Sequence, residues 1–293
     1  MPGILCSAFA GLLLASCRSV PPAHVQYDRI LPIRFLVTFD DGPSIRRPYN
    51  PTLAIADQLA TNDIQPGIKA IFFVQTEHPR GGGTQEGREI MHWLSLQGHT
   101  IGIHSVSPLG HVDHTKMPTN DLPCALEKAK DLIRGLTGSD PLFVRPPYGV
   151  YNLRTQSLYA DLHLRMLMAD VPAHDGVIYG YHLVAKWHAR EHFRAALENL
   201  KAKLLQQDLS VTPIPVIVSF HDVNPYTAKR LTEYLHFLVE EAQHIGLTFP
   251  EKPFYATAEE VTAVGIARCV PPPLVPTQVA GAAPTTEKKE ILH

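Results

Sequence analysis

Several things are scarce in this chain. Only four of its 293 residues are cysteine. None falls at the close spacing of a thiolate metal site, so any metal chemistry must use other ligands. Positive and negative charge nearly cancel, at a net of -2. No basic patch breaks that balance, which argues against nucleic acid as a partner. The apolar run at the N-terminus is too short to span a bilayer stably. What the chain does have is apolar bulk: 45% of it is hydrophobic, ample core for one large α/β domain or two small ones.

Met1 to Cys17, MPGILCSAFAGLLLASC, is apolar, ends in small residues and resembles a secretory leader, although no Lys or Arg precedes the apolar stretch. Leu14-Ala15-Ser16-Cys17 resembles a bacterial lipobox. That resemblance implies lipidation of Cys17, a tether over residues 18–29, and an exported protein anchored by lipid to a membrane, facing the periplasm or cell surface. Cys124 and Cys269 would then remain; outside the cytosol they could pair, but nothing in the sequence demands it. Residues 269–293 are rich in Pro and Ala and lack periodicity, the pattern of a disordered tail.

The stretch that organises the rest is Ile33 to Pro43, IRFLVTFDDGP. An apolar run ended by turn residues reads as a strand buried on both faces. It delivers Asp40 and Asp41 to the strand tip, where successive side chains diverge. One carboxylate can hold a metal while the other moves a proton. Further strands are predicted at Lys69–Val74, Thr100–Ile103, Leu142–Val144, Leu164–Ala169, Pro215–Phe220 and Leu247–Tyr255. Helices are predicted at Asn50–Leu59, Glu86–Leu96, Asp121–Leu136, Trp187–Leu205 and Tyr226–His244. This alternation implies parallel βα units. Chemically capable residues recur at the strand C-termini: Asp40 and Asp41, His104, Arg145, Asp170 and His221. In a βα barrel that is the active-site face, and the convergence points to an enzyme.

These residues resemble the polysaccharide deacetylases of carbohydrate esterase family 4, the NodB homology domain. TFDDGP at Thr38–Pro43, RPPYG at Arg145–Gly149 and FHD at Phe220–Asp222 carry the likeness, which runs from about Ile33 to about Val264. The resemblance implies a single catalytic domain, over residues 30–268, folded as an irregular (β/α) barrel. It also implies one divalent metal, zinc with cobalt or nickel as alternatives, bound by Asp-His-His, and an acetylated glycan as substrate. The protein is expected to be a monomer. By this likeness Asp41 and His104 are ligands, Asp40 is the base, His221 the acid, Arg145 the partner of Asp40, and Asp175 the partner of His221. Pro146, Tyr148 and Ser219 would line the substrate pocket.

Three positions depart from the family pattern. HSVSP puts Pro108 where the second histidine of H-S/T-x-x-H belongs, leaving His111 and His114 as candidates. Pro108 and Gly110 argue against one continuous helix across them. If the loop has gained three residues, HVDHTKM aligns with the family's H-P-x-L-T-K-L and His111 is the ligand. Gly176 stands where the family commonly has Trp, and Ser219 where it commonly has Leu. Both changes make the acyl pocket smaller-walled or more polar, so a same-fold hydrolase of a non-sugar amide, or an inactive carbohydrate-binding lipoprotein, is the alternative. His188-Ala189-Arg190-Glu191-His192 also spells the H-x-x-E-H motif of inverted zincins. With 16 histidines in the chain such spacing arises cheaply, and a solvated helix face is the preferred reading.

Overall fold

The structure is a computed structural model that describes residues 31–175, 185–206 and 212–273. The expected leader and lipobox with Cys17, as well as Gly176 and the end of the expected tail, lie outside the described residues. Strands β1 (Leu31–Asp40), β2 (Ala70–Gln75), β3 (Thr100–Ser105), β4 (Phe143–Val144), β5 (Arg165–Met166), β6 (Val171–Pro172) and β7 (Ile214–His221) form one parallel sheet in the order β5-β4-β3-β2-β1-β7-β6. A short β8 (Leu247–Thr248) pairs with the start of β1. The sheet curls as in a (β/α) barrel, and among the described residues β5 and β6 share no ladder. Between the strands run α1 (Pro51–Thr61), α2 (Gln85–Leu96), α3 (Asp121–Thr137), α4 (Leu153–Asp161), α5 (Ala185–Leu204), α6 (Pro225–His244) and, last, α7 (Ala258–Arg268).

The central strand explains the arrangement. Residues 35–40 are buried throughout, as expected of a parallel strand covered on both faces. Its odd-numbered side chains, Phe35, Val37 and Phe39, join the large core under the helices. Leu36 belongs instead to a smaller interior cluster with Ile71, Phe73, Phe143, Ile217 and Tyr255. Thr38 and Asp40 share Leu36's side of the strand by the two-residue alternation. They therefore bring polar groups to the interior near the mouth of the barrel. Because β1 lies between β2 and β7, the direction in which the strands are laid down reverses beside it. A crevice at the carboxyl ends is expected at such a switch point.

Helix starts follow the sequence signals closely. The Asn50 side chain accepts from the Leu53 N–H at 3.3 Å, with Pro51 at the first helical position. Other expectations need correction. The predicted final strand Leu247–Tyr255 shrinks to two residues plus a single bridge from Phe254 to Phe35. The predicted strand Leu164–Ala169 shrinks to Arg165–Met166. Helix α7 is an addition, although Thr257 caps it through the Glu260 N–H, a T-x-x-E signature that the sequence displays. Its Gly265 lies where an added Cβ would come 2.6 Å from the Phe143 ring, so glycine lets the helix close the interior cluster. The first tail residues also pack on the body: the Val270 N–H donates to the Met166 carbonyl at 2.9 Å.

Candidate active site

The tip of β1 sets the two carboxylates apart. Asp40 completes the strand opposite His221 of β7, while Asp41 takes a left-handed backbone conformation, φ 78°. Such a conformation is uncommon for a residue with a side chain, and Asp tolerates it better than most. The next residue must be glycine for a different reason. A Cβ on Gly42 would sit 1.9 Å from Asp222 Oδ2. Asp222 is fully buried beneath the turn, accepts from the Thr52 hydroxyl at 2.8 Å, and donates its N–H to the Asp40 carbonyl at 3.3 Å. Burial, with the nearby charges of Asp41 and Asp40, pushes its carboxyl up to about 7. The Gly of DDGP and the Asp of FHD are thus two halves of one contact.

Asp40 is almost enclosed, and its Oδ1 accepts from Arg145 Nη1 at 2.8 Å. The same Nη1 donates to Thr38 Oγ1 at 2.7 Å, Nε donates to the Leu167 carbonyl at 3.0 Å, and the guanidinium lies 4.2 Å from the centre of the Phe73 ring. A buried carboxylate with a charge-assisted partner that is itself held on several sides is fixed in orientation.

Asp41 faces two imidazoles. Its Oδ1 lies 3.4 Å from His104 Nε2 and 3.9 Å from His111 Nε2, and the two Nε2 atoms are 2.9 Å apart. This is the group of His, Asp, Glu or Cys side chains, among the described residues, whose ligand atoms all lie within 4.8 Å of one another. The tautomer of His104 is fixed by its other nitrogen: Nδ1 is 2.8 Å from the Arg145 carbonyl, which can only accept. Nδ1 therefore carries the proton and Nε2 presents its lone pair to the cluster. Two imidazole nitrogens facing each other this closely need a shared proton or a cation between them. One carboxylate and two imidazoles suit a tetrahedral divalent ion with a position left open for water or substrate, and the residues fit such an ion. Burial pushes the Asp41 carboxyl up, but the charges of His104, His111 and His221 and the Gln75 amide outweigh it and hold it below the usual range. Burial, helped by His104 and His221, keeps His111 low and so neutral, the form that ligates.

His111 reaches this position through a turn. The Gly110 N–H donates to the Ser107 carbonyl at 3.0 Å, Gly110 has φ 86°, and its carbonyl accepts from the Ser105 hydroxyl. Leu109 is thrown out to solvent. His114 goes elsewhere: it is fully buried, with Nδ1 2.7 Å from the Tyr159 hydroxyl. Tyr148 steadies His111 from the RPPYG loop by stacking at 4.1 Å and by donating its hydroxyl to the His111 carbonyl at 2.8 Å. Held at φ 60°, Tyr148 also aims its backbone N–H at His111 Nε2 from 3.3 Å. A neutral donor therefore stands at the rim of the cluster. Pro146, buried, opens this loop and accepts the Gly149 N–H at 3.0 Å.

On the other side stands His221, its Nε2 4.0 Å from Asp41 Oδ2. Its Nδ1 lies 2.7 Å from Asp175 Oδ1, and its backbone N–H donates to Asp175 Oδ2 at 2.9 Å. Thr227 and Asn224 hold Asp175 in turn, by hydroxyl to Oδ2 at 2.5 Å and by amide to carbonyl at 2.6 Å. Burial opposes a charged ring here. The hydrogen bond and charge of Asp175, with Asp40 and Asp41 behind, override it and raise His221 to about 9. Ser219, two residues earlier on β7, is buried opposite Thr38.

Asp170 and the H-x-x-E-H segment lie away from this site. Asp170 accepts the Ile217 N–H at 2.8 Å and pairs with Arg268 at 2.6 Å; it ties α7 to the middle of β7. His188 of H-x-x-E-H is exposed, and His192 lies 3.0 Å from the Pro172 carbonyl and packs edge-on against His174. Gln75, which sequence reasoning missed, donates to Asp41 Oδ1 at 2.8 Å from the last position of β2. Extending the strand-end rule by one residue past Val74 would have found it.

Residues 32–167 match the family model for polysaccharide deacetylase. A chitin deacetylase from Pestalotiopsis is 25% identical over 218 residues, covering 73% of this chain and 66% of the relative. A peptidoglycan-N-acetylglucosamine deacetylase from Bacillus cereus is 31% identical over 113 residues, 39% of this chain and 35% of the relative. The chain thus spans about a third to two thirds of the length of these relatives. In fold, it is similar to the chitin deacetylase of Colletotrichum lindemuthianum, with a TM-score of 0.55 at 20% identity over 79% of this chain and 88% of the other. The stretch over residues 32–167 thus belongs to the polysaccharide deacetylase family, and the fold is similar to that of a chitin deacetylase.

Proposed function

We propose that this protein removes N- or O-acetyl groups from a polysaccharide or cell-envelope glycan, using one divalent ion held by Asp41, His104 and His111. The observation that carries the reading is the sidedness of the cluster. An enclosed carboxylate paired with Arg145 flanks it on one side, and an imidazole raised to about 9 by Asp175 flanks it on the other. Hydrolysis of an acetyl bond needs both, a base for water and an acid for the departing group.

The bound ion, zinc with cobalt or nickel as alternatives, would polarise the acyl carbonyl and make water more acidic. Asp40, held in orientation by Arg145, accepts the proton of the attacking water. His221 carries a proton at neutral pH and offers it from Nε2 to the departing nitrogen or oxygen, while Asp175 keeps Nδ1–H oriented. The Tyr148 N–H is placed to meet the negative charge that develops on the acyl oxygen. Ser219 adds a hydroxyl to the buried wall beneath.

Purified protein loaded with zinc should release acetate from at least one member of a panel of acetylated glycans, and Asp40→Asn should abolish the release. No acetate from any glycan, with metal bound stoichiometrically, would overturn the reading. The leader and the lipobox-like Leu14–Cys17 also support export and lipid anchoring through Cys17. Cys17→Ser should then move the protein from the membrane to the soluble fraction; unchanged fractionation would refute anchoring.

A further inference from the structure

Two neighbouring cavities lead away from Asp41. The first, of about 580 Å³, is lined by Asp41, Gln75, His78, Arg80 and Arg46 among others. The second, of about 340 Å³, shares Arg46 and continues along Arg47, Tyr49, Tyr226 and Lys229. Their charge is one-sided. Asp41 is the sole carboxylate among the lining residues, and it already faces the imidazole cluster. Arg47 is paired with Glu86 at 2.9 Å and Lys229 lies 5.9 Å from the centre of the Tyr49 ring. Arg46 and Arg80, both exposed, make no ion pair among the described residues. The chain as a whole is slightly acidic, so two guanidiniums without partners beside one open cavity are a local feature.

Guanidinium groups bind planar carboxylates in a two-pronged geometry, and exposed Tyr49 supplies a ring on which a sugar can pack. Both cavities fall in the size range of small-ligand sites. We infer that these cavities hold the sugar next to the one losing its acetyl group, and that Arg46 and Arg80 bind a carboxylate on it. The substrate class would then be an acidic glycan in which N-acetylated and carboxylated sugars are neighbours. This rests on the deacetylase reading and narrows it.

The test compares a hyaluronan hexasaccharide, in which N-acetylglucosamine alternates with glucuronate, with the same oligomer whose carboxylates have been reduced to alcohols. Binding to zinc-loaded protein is read by calorimetry and acetate release is read separately. The acidic oligomer should bind roughly fivefold to thirtyfold tighter, the value of one or two partly exposed ion pairs. The gap should narrow towards one in Arg46→Gln/Arg80→Gln and shrink with added salt. Equal binding of the two oligomers, or a gap untouched by the double substitution, would overturn the inference. Acetate release from both at equal rates would then leave the deacetylase reading standing. Tighter binding of the acidic oligomer without acetate release would support the anionic site and count against the reaction. Displacement of the bound hexasaccharide by an equal concentration of free glucuronate would overturn the claim that the glycan supplies the anion.

Discussion

Asp175→Asn tests the acid half of the site at its most specific point. Moving an imidazole from 6.5 to about 9 corresponds to roughly 3 kcal/mol of preference for the charged ring. Burial works against that preference. Asp175 contributes both the hydrogen bond and the first of the favourable charge interactions, ahead of Asp40 and Asp41. An asparagine keeps the shape, and its carbonyl oxygen can still receive the His221 N–H and the Thr227 hydroxyl. Its amide NH₂ would then face Nδ1, which must become an acceptor, so the neutral ring would carry its proton on Nε2. The variant's basic limb in a plot of rate against pH should fall by about one to two pH units. Stability moves with the same proton. A group raised in the folded state stabilises fully below its unfolded value near 6.5, and that contribution is lost as pH rises through about 9. Urea denaturation should therefore show Asp175→Asn costing about 2 kcal/mol more at pH 6 than at pH 10. A proton NMR titration of the His221 ring gives the value directly. If neither the basic limb nor the titration moves, Asp175 is not what holds the proton on His221.

Two further substitutions probe the frame of the site. Gly42→Ala drives a methyl group into the Asp222 carboxylate at 1.9 Å; it should cost about 3 kcal/mol in thermal or urea denaturation and weaken zinc binding measured by calorimetry. Stability within about 0.5 kcal/mol of the parent, the range of an ordinary surface substitution, would show that the turn can slide. His111→Ala should lower zinc affinity on the order of a hundredfold or more, since even residues that only support a ligand cost tenfold to a hundredfold. His114→Phe should leave zinc affinity near the parent value while costing about 1–2 kcal/mol of stability for the stranded Tyr159 hydroxyl; the reverse ranking would exchange the roles of the two histidines.

Much of this was legible in one dimension because it is carried by local pattern. The apolar run before Asp40, the cap at Asn50 and the turn residues after Asp41 are short-range signals, and strand ends in a parallel α/β fold share one face. Asp40, Asp41, His104, Arg145 and His221 could therefore be gathered before any contact was known. The rule failed at Asp170 because the partner of a strand-end carboxylate depends on where the chain later returns, and here α7 brings Arg268 back to claim it. His111 against His114 could be argued only by aligning an insertion, since the turn that aims one ring at Asp41 and buries the other is set by Gly110 together with Tyr148 and Tyr159.

By itself, then, the sequence determined the order of βα units, the tip of the central strand and the kinds of chemistry that tip could support. Tertiary structure alone decided that Gly42 must yield its side-chain space to Asp222, far away in the chain, and that Gln75 joins Asp41. It also decided that His104 presents Nε2 because the Arg145 carbonyl takes its Nδ1–H, and that Arg46 and Arg80, without an ion pair among the described residues, line the cavity beside the carboxylate. The physical reason is common to all of these. Propensity and periodicity act over a few residues, whereas close approach, tautomer and charge depend on which distant groups the fold brings within a few ångströms.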